Sequence, residues 1–122
     1  MVVPYKWYEG LSYYFDKNYA QAEAPFAEAY KINPFNFNIL NNYGSTLVQL
    51  KRYKEAIPLY LHAIEINPKF EEGKFNLAFS YYHLGQHQEA LRWVNQVEGR
   101  ADKKAVFLEQ IQTAIQEQKP PE

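Results

Sequence analysis

Histidine pairs, adjacent carboxylates and hydroxyls are the residues of this chain whose types and spacing could do chemistry. His83 and His87 stand four apart, a spacing that on one continuous helix lets two imidazoles share a metal. Leu84-Gly85-Gln86 lies between them and reads as a turn, so the two rings are expected to diverge. His62 has no acidic or histidine partner at metal spacing. Glu71-Glu72 resembles an acid–base pair, but it opens a helical pattern, where the macrodipole favours carboxylates. Ser12, Ser45, Thr46 and Ser80 lack a neighbouring base and any nucleophile-elbow pattern. No glycine-rich phosphate loop occurs, and the absence of cysteine removes thiolate metal sites and disulfides. The expectation is a protein that is not an enzyme and holds no cofactor or metal.

Composition narrows the remaining classes. Thirteen Lys and Arg against fourteen Asp and Glu give a net charge of −1, without the basic footprint that nucleic acid requires. At 47% hydrophobic and 17% aromatic the chain is too apolar to stay disordered, and 122 residues suit one domain. Met1-Val2-Val3-Pro4 runs straight into Tyr5, Lys6, Trp7 and Tyr8, with no basic segment leading into a long apolar one. No apolar run is long enough to span a bilayer. A soluble segment is expected, with the cytoplasm favoured, although the lack of cysteine suits any redox compartment.

With no catalytic group in view, the informative signal is a repeat. At intervals of 34 residues Ala22, Ala56 and Ala90 coincide, as do Phe26, Tyr60 and Val94, and Ala29, Ala63 and Val97. Gly10, Gly44 and Ala78 coincide upstream, followed by Tyr13, Leu47 and Tyr81. Tyr19 corresponds to Tyr53, and Ile32-Asn33-Pro34 returns as Ile66-Asn67-Pro68. Leu40, Tyr43, Leu47 and Leu50 fall at helical spacing, and so do Ala56, Leu59, Tyr60, Ala63 and Ile64. Each unit therefore reads as two helices. Asp16-Lys17-Asn18, Lys51-Arg52 and Gly85-Gln86 form the turns, and Asn-Pro ends the second helix. Small residues stand where the two helices must approach, and pairs must stack because one pair cannot bury its apolar face alone.

These residues resemble the tetratricopeptide repeat, whose pattern is W-x2-L-G-x2-Y, then A-x3-F, then P. Repeat 2 (37–70) fits best, through Leu40, Tyr43-Gly44, Leu47, Ala56, Tyr60, Ala63 and Pro68. Repeat 3 (71–100) keeps Leu77, Ala78, Tyr81 and Ala90 but has Asp102 in place of the proline. Repeat 1 (3–36) keeps Gly10, Tyr13, Ala22, Phe26, Ala29 and Pro34, with Lys6 and Glu9 where large apolar residues are usual. The resemblance implies an all-α fold, a right-handed α-α superhelix. A capping helix over 101–118 follows: Gly99 closes the previous helix, Asp102 is its N-cap, and Ala105, Leu108, Ile111 and Ile115 form its apolar stripe. Gln110, Gln112, Gln116, Glu117 and Gln118 make its wet side, and Pro120-Pro121 ends it. The N-terminal end has no such cap, leaving first-helix aromatics exposed. Pro25 and Pro58 lie inside second helices and are expected to bend them.

In tetratricopeptide arrays the first helix of each repeat lines a concave groove. Carried to this chain, the resemblance implies Trp7, Tyr8, Leu11, Tyr14 and Phe15 from repeat 1. It adds Asn38, Asn41, Asn42, Ser45 and Gln49 from repeat 2, and Glu72, Phe75, Asn76, Phe79, Tyr82 and His83 from repeat 3. Asn42 and Asn76 are equivalent, with Tyr8 in that place in repeat 1, and resemble the asparagine ladder of some peptide-binding superhelices. An amide offers a donor and an acceptor together and so matches a peptide bond. Phe79 and Tyr82 have packing between repeats as an alternative role. The carboxylate clamp for acidic chaperone C-termini is not matched: its positions hold Trp7 and Leu11, Asn42, then Glu72 and Asn76, of which only Asn42 fits.

The function expected is a non-enzymatic protein–protein interaction scaffold that binds a protein or extended peptide in the groove. Self-association through the N-terminal end is a further expectation. The alternative is the soluble tail of a larger bacterial membrane protein. Trp7-Tyr8-Glu9-Gly10, Asn42-Tyr43-Gly44 and Leu77-Ala78-Phe79-Ser80-Tyr81-Tyr82 resemble the C-terminal repeats of O-antigen ligase or polymerase-like proteins.

Overall fold

The computed structural model describes residues 5–118. Seven helices follow one another, with no strand among the described residues: α1 (Tyr5–Phe15), α2 (Tyr19–Ile32), α3 (Phe37–Gln49), α4 (Tyr53–Ile66), α5 (Glu71–His83), α6 (His87–Asn95) and α7 (Ala101–Glu117). Each helix packs on the next, and α1, α3 and α5 also touch side by side. Three antiparallel pairs therefore stack with their first helices on one face.

The repeated residues are the ones that hold the pairs together. Ala22, Ala56 and Ala90 are wholly buried, as are Phe26, Tyr60 and Val94 at the next repeated position. Their partners across each pair are small for a measurable reason. A Cβ added to Gly10 would lie 2.5 Å from the Phe26 ring, and one on Gly44 would lie 3.1 Å from Tyr60. The large residue of the second helix occupies the space a side chain of the first would need.

Each pair turns in the same way. Lys17, Lys51 and Gly85 are 34 apart, and all have left-handed backbone, with φ of 59°, 62° and 79°. The amides of Asn18, Arg52 and Gln86 reach back to the carbonyls of Tyr13, Leu47 and Tyr81, closing a Schellman motif each time. Two of these left-handed positions carry lysine, so residue type alone did not reveal them. Asn33 and Asn67 cap the second helices, each donating its amide to an alanine carbonyl, Ala29 or Ala63. Neither Pro25 nor Pro58 ends its helix. Each leaves one carbonyl without an intrahelical donor, that of Gln21 or Lys54, and both of those residues are exposed to water.

The last layer departs from expectation. Helix α6 stops at Asn95, well before Gly99. Gly99 is left-handed, but so is Arg100, and Arg100 rather than Asp102 precedes α7. Asp102 lies within the first turn of α7, where the macrodipole still favours it without a side-chain cap. Lys104 donates to the Val97 carbonyl at 2.8 Å, satisfying a group that the early end of α6 leaves open. The residues of α7 that enter the core are Phe107 and Ile111, with Leu108 and Ile115 half-buried, while Ala105 is exposed. The apolar stripe is thus rotated toward Phe107, because the largest side chain of α7 fills the gap left by Phe75, Ala78 and Val94. Pro120-Pro121 lies outside the described residues.

Candidate functional site

The face formed by α1, α3 and α5 gathers the groove residues in two groups. In the first, hydrogen bonds join adjacent helices. The Trp7 indole N–H donates to Asn42 Oδ1 at 2.9 Å, and the Tyr14 hydroxyl meets Ser45 Oγ at 2.7 Å. Indole nitrogen can only donate, which fixes the Asn42 oxygen toward Trp7 and leaves its amide NH2 without a hydrogen-bond partner among the described residues. Tyr8 is 58% exposed and packs tilted against Trp7. Asn38 and Gln49 are exposed, Leu11 and Asn41 half-buried. Tyr5 and Phe15, on the same first helix, are about three-quarters exposed, at 75% and 74%.

Asn76 bridges to the second group. Its Nδ2 donates to the Tyr60 hydroxyl at 3.2 Å. Tyr60 is wholly buried, and burial pushes its phenol well above the usual tyrosine range, although hydrogen bonds with Asn76 and Ser45 draw it partly back. Tyr60 therefore stays a neutral hydroxyl that positions Asn76 from beneath.

The second group is an aromatic cluster. Phe107 of α7 stacks on Phe75 with centroids 5.3 Å apart, and it meets the edge of Tyr82 at 5.5 Å. Phe75 is buried at 7% exposure: Phe107 covers one side of its ring and Lys103 sits over the ring, so it is far less open than its expected place in the groove implies. Phe79 and Tyr82 are half-buried: each packs in the cluster and also lines a cleft. Glu72 is paired with Arg100. Its neighbour Glu71 accepts from the Glu98 amide at 2.7 Å and from Lys74 at 3.0 Å, which hold its carboxyl below the usual range. The two acids tie the start of α5 to the α6–α7 connection.

The histidines and hydroxyls also find structural places. His83 stacks on Tyr53 at 4.9 Å, and both His83 and His87 pack against Tyr82, at 5.3 and 5.2 Å. Each imidazole thus packs against the Tyr82 ring across the turn at Gly85, and no contact joins His83 to His87 among the described residues. No third potential metal ligand joins them among the described residues. Burial, and then the charge of Lys51, hold the His83 imidazole below its ordinary pKa. Thr46 and Ser80, fully buried and 34 apart, donate to the carbonyls of Asn42 and Asn76 one turn earlier, at 2.8 and 2.9 Å.

Sequence reasoning missed the contribution of α7 to this face. Val106, Gln110, Thr113 and Glu117 recur at helical spacing and, with Glu109, line a cleft of about 600 Å³ against Phe79, Tyr82 and His83. The helical spacing of these residues is a usable signal, although of them only Gln110 and Glu117 are expected, on the wet side of α7. No helix among the described residues is long and apolar enough to cross a membrane.

Residues 35–103 match the tetratricopeptide repeat family. The chain is 32% identical over 81 residues to the peroxisomal targeting signal receptor of Candida glabrata, a match covering 66% of this chain and 14% of the receptor. The receptor of the same name from Saccharomyces cerevisiae is 31% identical over 81 residues, with 66% and 13% covered. The matched stretch is thus a small part of either receptor. Among solved structures, a mutant of MamA superposes with a TM-score of 0.73 at 31% identity, over 77% of this chain and 72% of that one. The first tetratricopeptide domain of human RPAP3 gives 0.78 at 18% identity over 92% and 91%, a likeness of fold. These comparisons lend no support to a likeness with O-antigen ligase or polymerase tails.

Proposed function

Because the chain belongs to the tetratricopeptide repeat family, we propose that it is a non-enzymatic interaction scaffold whose concave face binds an extended peptide or protein segment. The observation that carries this reading is the amide pair Asn42 and Asn76, equivalent in adjacent repeats and each held by a hydrogen bond, Asn42 by Trp7 of the adjacent first helix and Asn76 by the buried Tyr60. With its oxygen engaged by Trp7, Asn42 keeps its N–H groups as the unused donors, which suit a peptide carbonyl. Pre-anchoring lowers the entropy cost of ordering these side chains on binding. Support also comes from the relatives named as receptors for a targeting signal.

Random linear peptides displayed on phage and selected on the immobilised chain supply the test. A selected peptide should bind Asn42→Ala/Asn76→Ala about tenfold or more weakly, with helicity by circular dichroism unchanged. Asn38→Ala/Asn41→Ala, which removes amides that make no hydrogen bond within the described residues, serves as a second variant free of internal losses. Binding unchanged in both variants would remove the groove assignment.

A further inference from the structure

Building on the groove reading, we propose that the cleft between α5 and α7 receives a lysine or arginine side chain of the bound segment. Two rings, Phe79 and Tyr82, stand on the α5 wall, and Glu109 and Glu117 stand on the α7 wall. Neither glutamate makes an ion pair among the described residues, and no lysine or arginine lines the cleft. An aliphatic stem lies well along aromatic faces, and its charged head is attracted both by their π clouds and by the carboxylates.

The chain already shows this chemistry one turn away. On the same wall, Lys103 Nζ sits 4.7 Å above the Phe75 ring, the residue one helical turn before Phe79. Lys103 borders the neighbouring cleft, not the one lined by Glu109 and Glu117. Other cations nearby are committed or peripheral. Arg100 is held by Glu72, and Lys51 stands in the α3–α4 turn and is not among the residues that line the cleft. The imidazole of His83, on the lining, is held below its ordinary pKa by burial and by Lys51. An acidic side chain would instead face two carboxylates with no counter-charge in the cleft.

The same peptide selection separates this proposal from the groove reading. Selected peptides should share a lysine or arginine at one position. Replacing that residue by norleucine or citrulline should weaken binding about fivefold to tenfold, as should Glu109→Gln/Glu117→Gln in the protein. Added salt should weaken binding to the wild type more than to the double variant. Both glutamates are exposed, so the variant should keep its circular dichroism spectrum and unfolding midpoint. Peptides with no basic preference, weakened by Asn42→Ala/Asn76→Ala but indifferent to the glutamine variant, would overturn the cation site and leave the groove standing. Binding indifferent to both variants, or no peptide selected, would overturn both.

Discussion

The two ends of the concave face solve one positioning problem by different physics. At the α1–α3 end, groove side chains are held by hydrogen bonds, Trp7 to Asn42 and Tyr14 to Ser45, and their remaining surface stays wet. At the α5–α7 end, side chains are held by burial in an aromatic cluster around Phe107. Trp7, Asn41 and Phe75 occupy one position of the repeat, yet one donates a hydrogen bond, one is half-exposed and one is covered. The neighbour decides. Trp7 meets an amide on α3, whereas Phe75 meets the helix that follows the last pair. A hydrogen-bonded end keeps polar groups on offer, and an apolar end encloses a cleft.

The contrast can be broken most forcefully at Phe107. Phe107→Ala should cost about 3 kcal/mol in urea unfolding, since a ring 5% exposed leaves a void among Phe75, Phe79 and Tyr82. Hydrogen exchange should rise over α7 and α5 and stay near wild type over α1 and α2. A uniform rise would mean that the two ends are not energetically separate. The matching change at the other end, Trp7→Phe, keeps most of the ring but removes the donor to Asn42. Its expected cost is about 1 kcal/mol, because Asn42 is only half-buried and water can replace the lost bond. A loss as large as that of Phe107→Ala would contradict the hydrogen-bonded description.

The smallest effect expected is on pH dependence. The pKa of His83 lies below its unfolded value near 6.5, so the unfolded chain takes up the proton first as pH falls. The stability tied to neutral His83 is therefore present above about pH 6.5 and lost as pH drops through the depressed folded pKa. Urea midpoints at pH 7.5 and 5.5 should fall less in His83→Gln than in wild type. Equal falls would show that burial and Lys51 do not favour the neutral ring.

Much of the scaffold was legible because it rests on residue size at a fixed period. Ala22, Ala56 and Ala90 had to be small, and Phe26, Tyr60 and Val94 had to fill the space beside them; all six are buried. Asn-Pro marked both helix ends correctly, since proline constrains the residue before it whatever surrounds it. The left-handed lysines Lys17 and Lys51 were hidden, because a Schellman turn can impose that backbone on a residue that does not favour it. The final layer was read less well for a related reason. With no Asn-Pro there, the expected caps at Gly99 and Asp102 rested on residue type, and packing placed the boundary at Arg100 instead.

Sequence by itself determined that this chain stacks helical pairs, belongs with tetratricopeptide repeats and carries its amides and aromatics on the first helix of each pair. Those properties follow from local periodicity, and a helix keeps its faces wherever it packs. Only the tertiary structure decided which groove residues remain available. It engaged the Asn42 oxygen with Trp7, packed Phe107 on Phe75 and brought Glu109 and Glu117 of α7 to a cleft beside α5. Each of these depends on contact between residues far apart in the chain, where small rotations of one helix on another decide which side chain meets water.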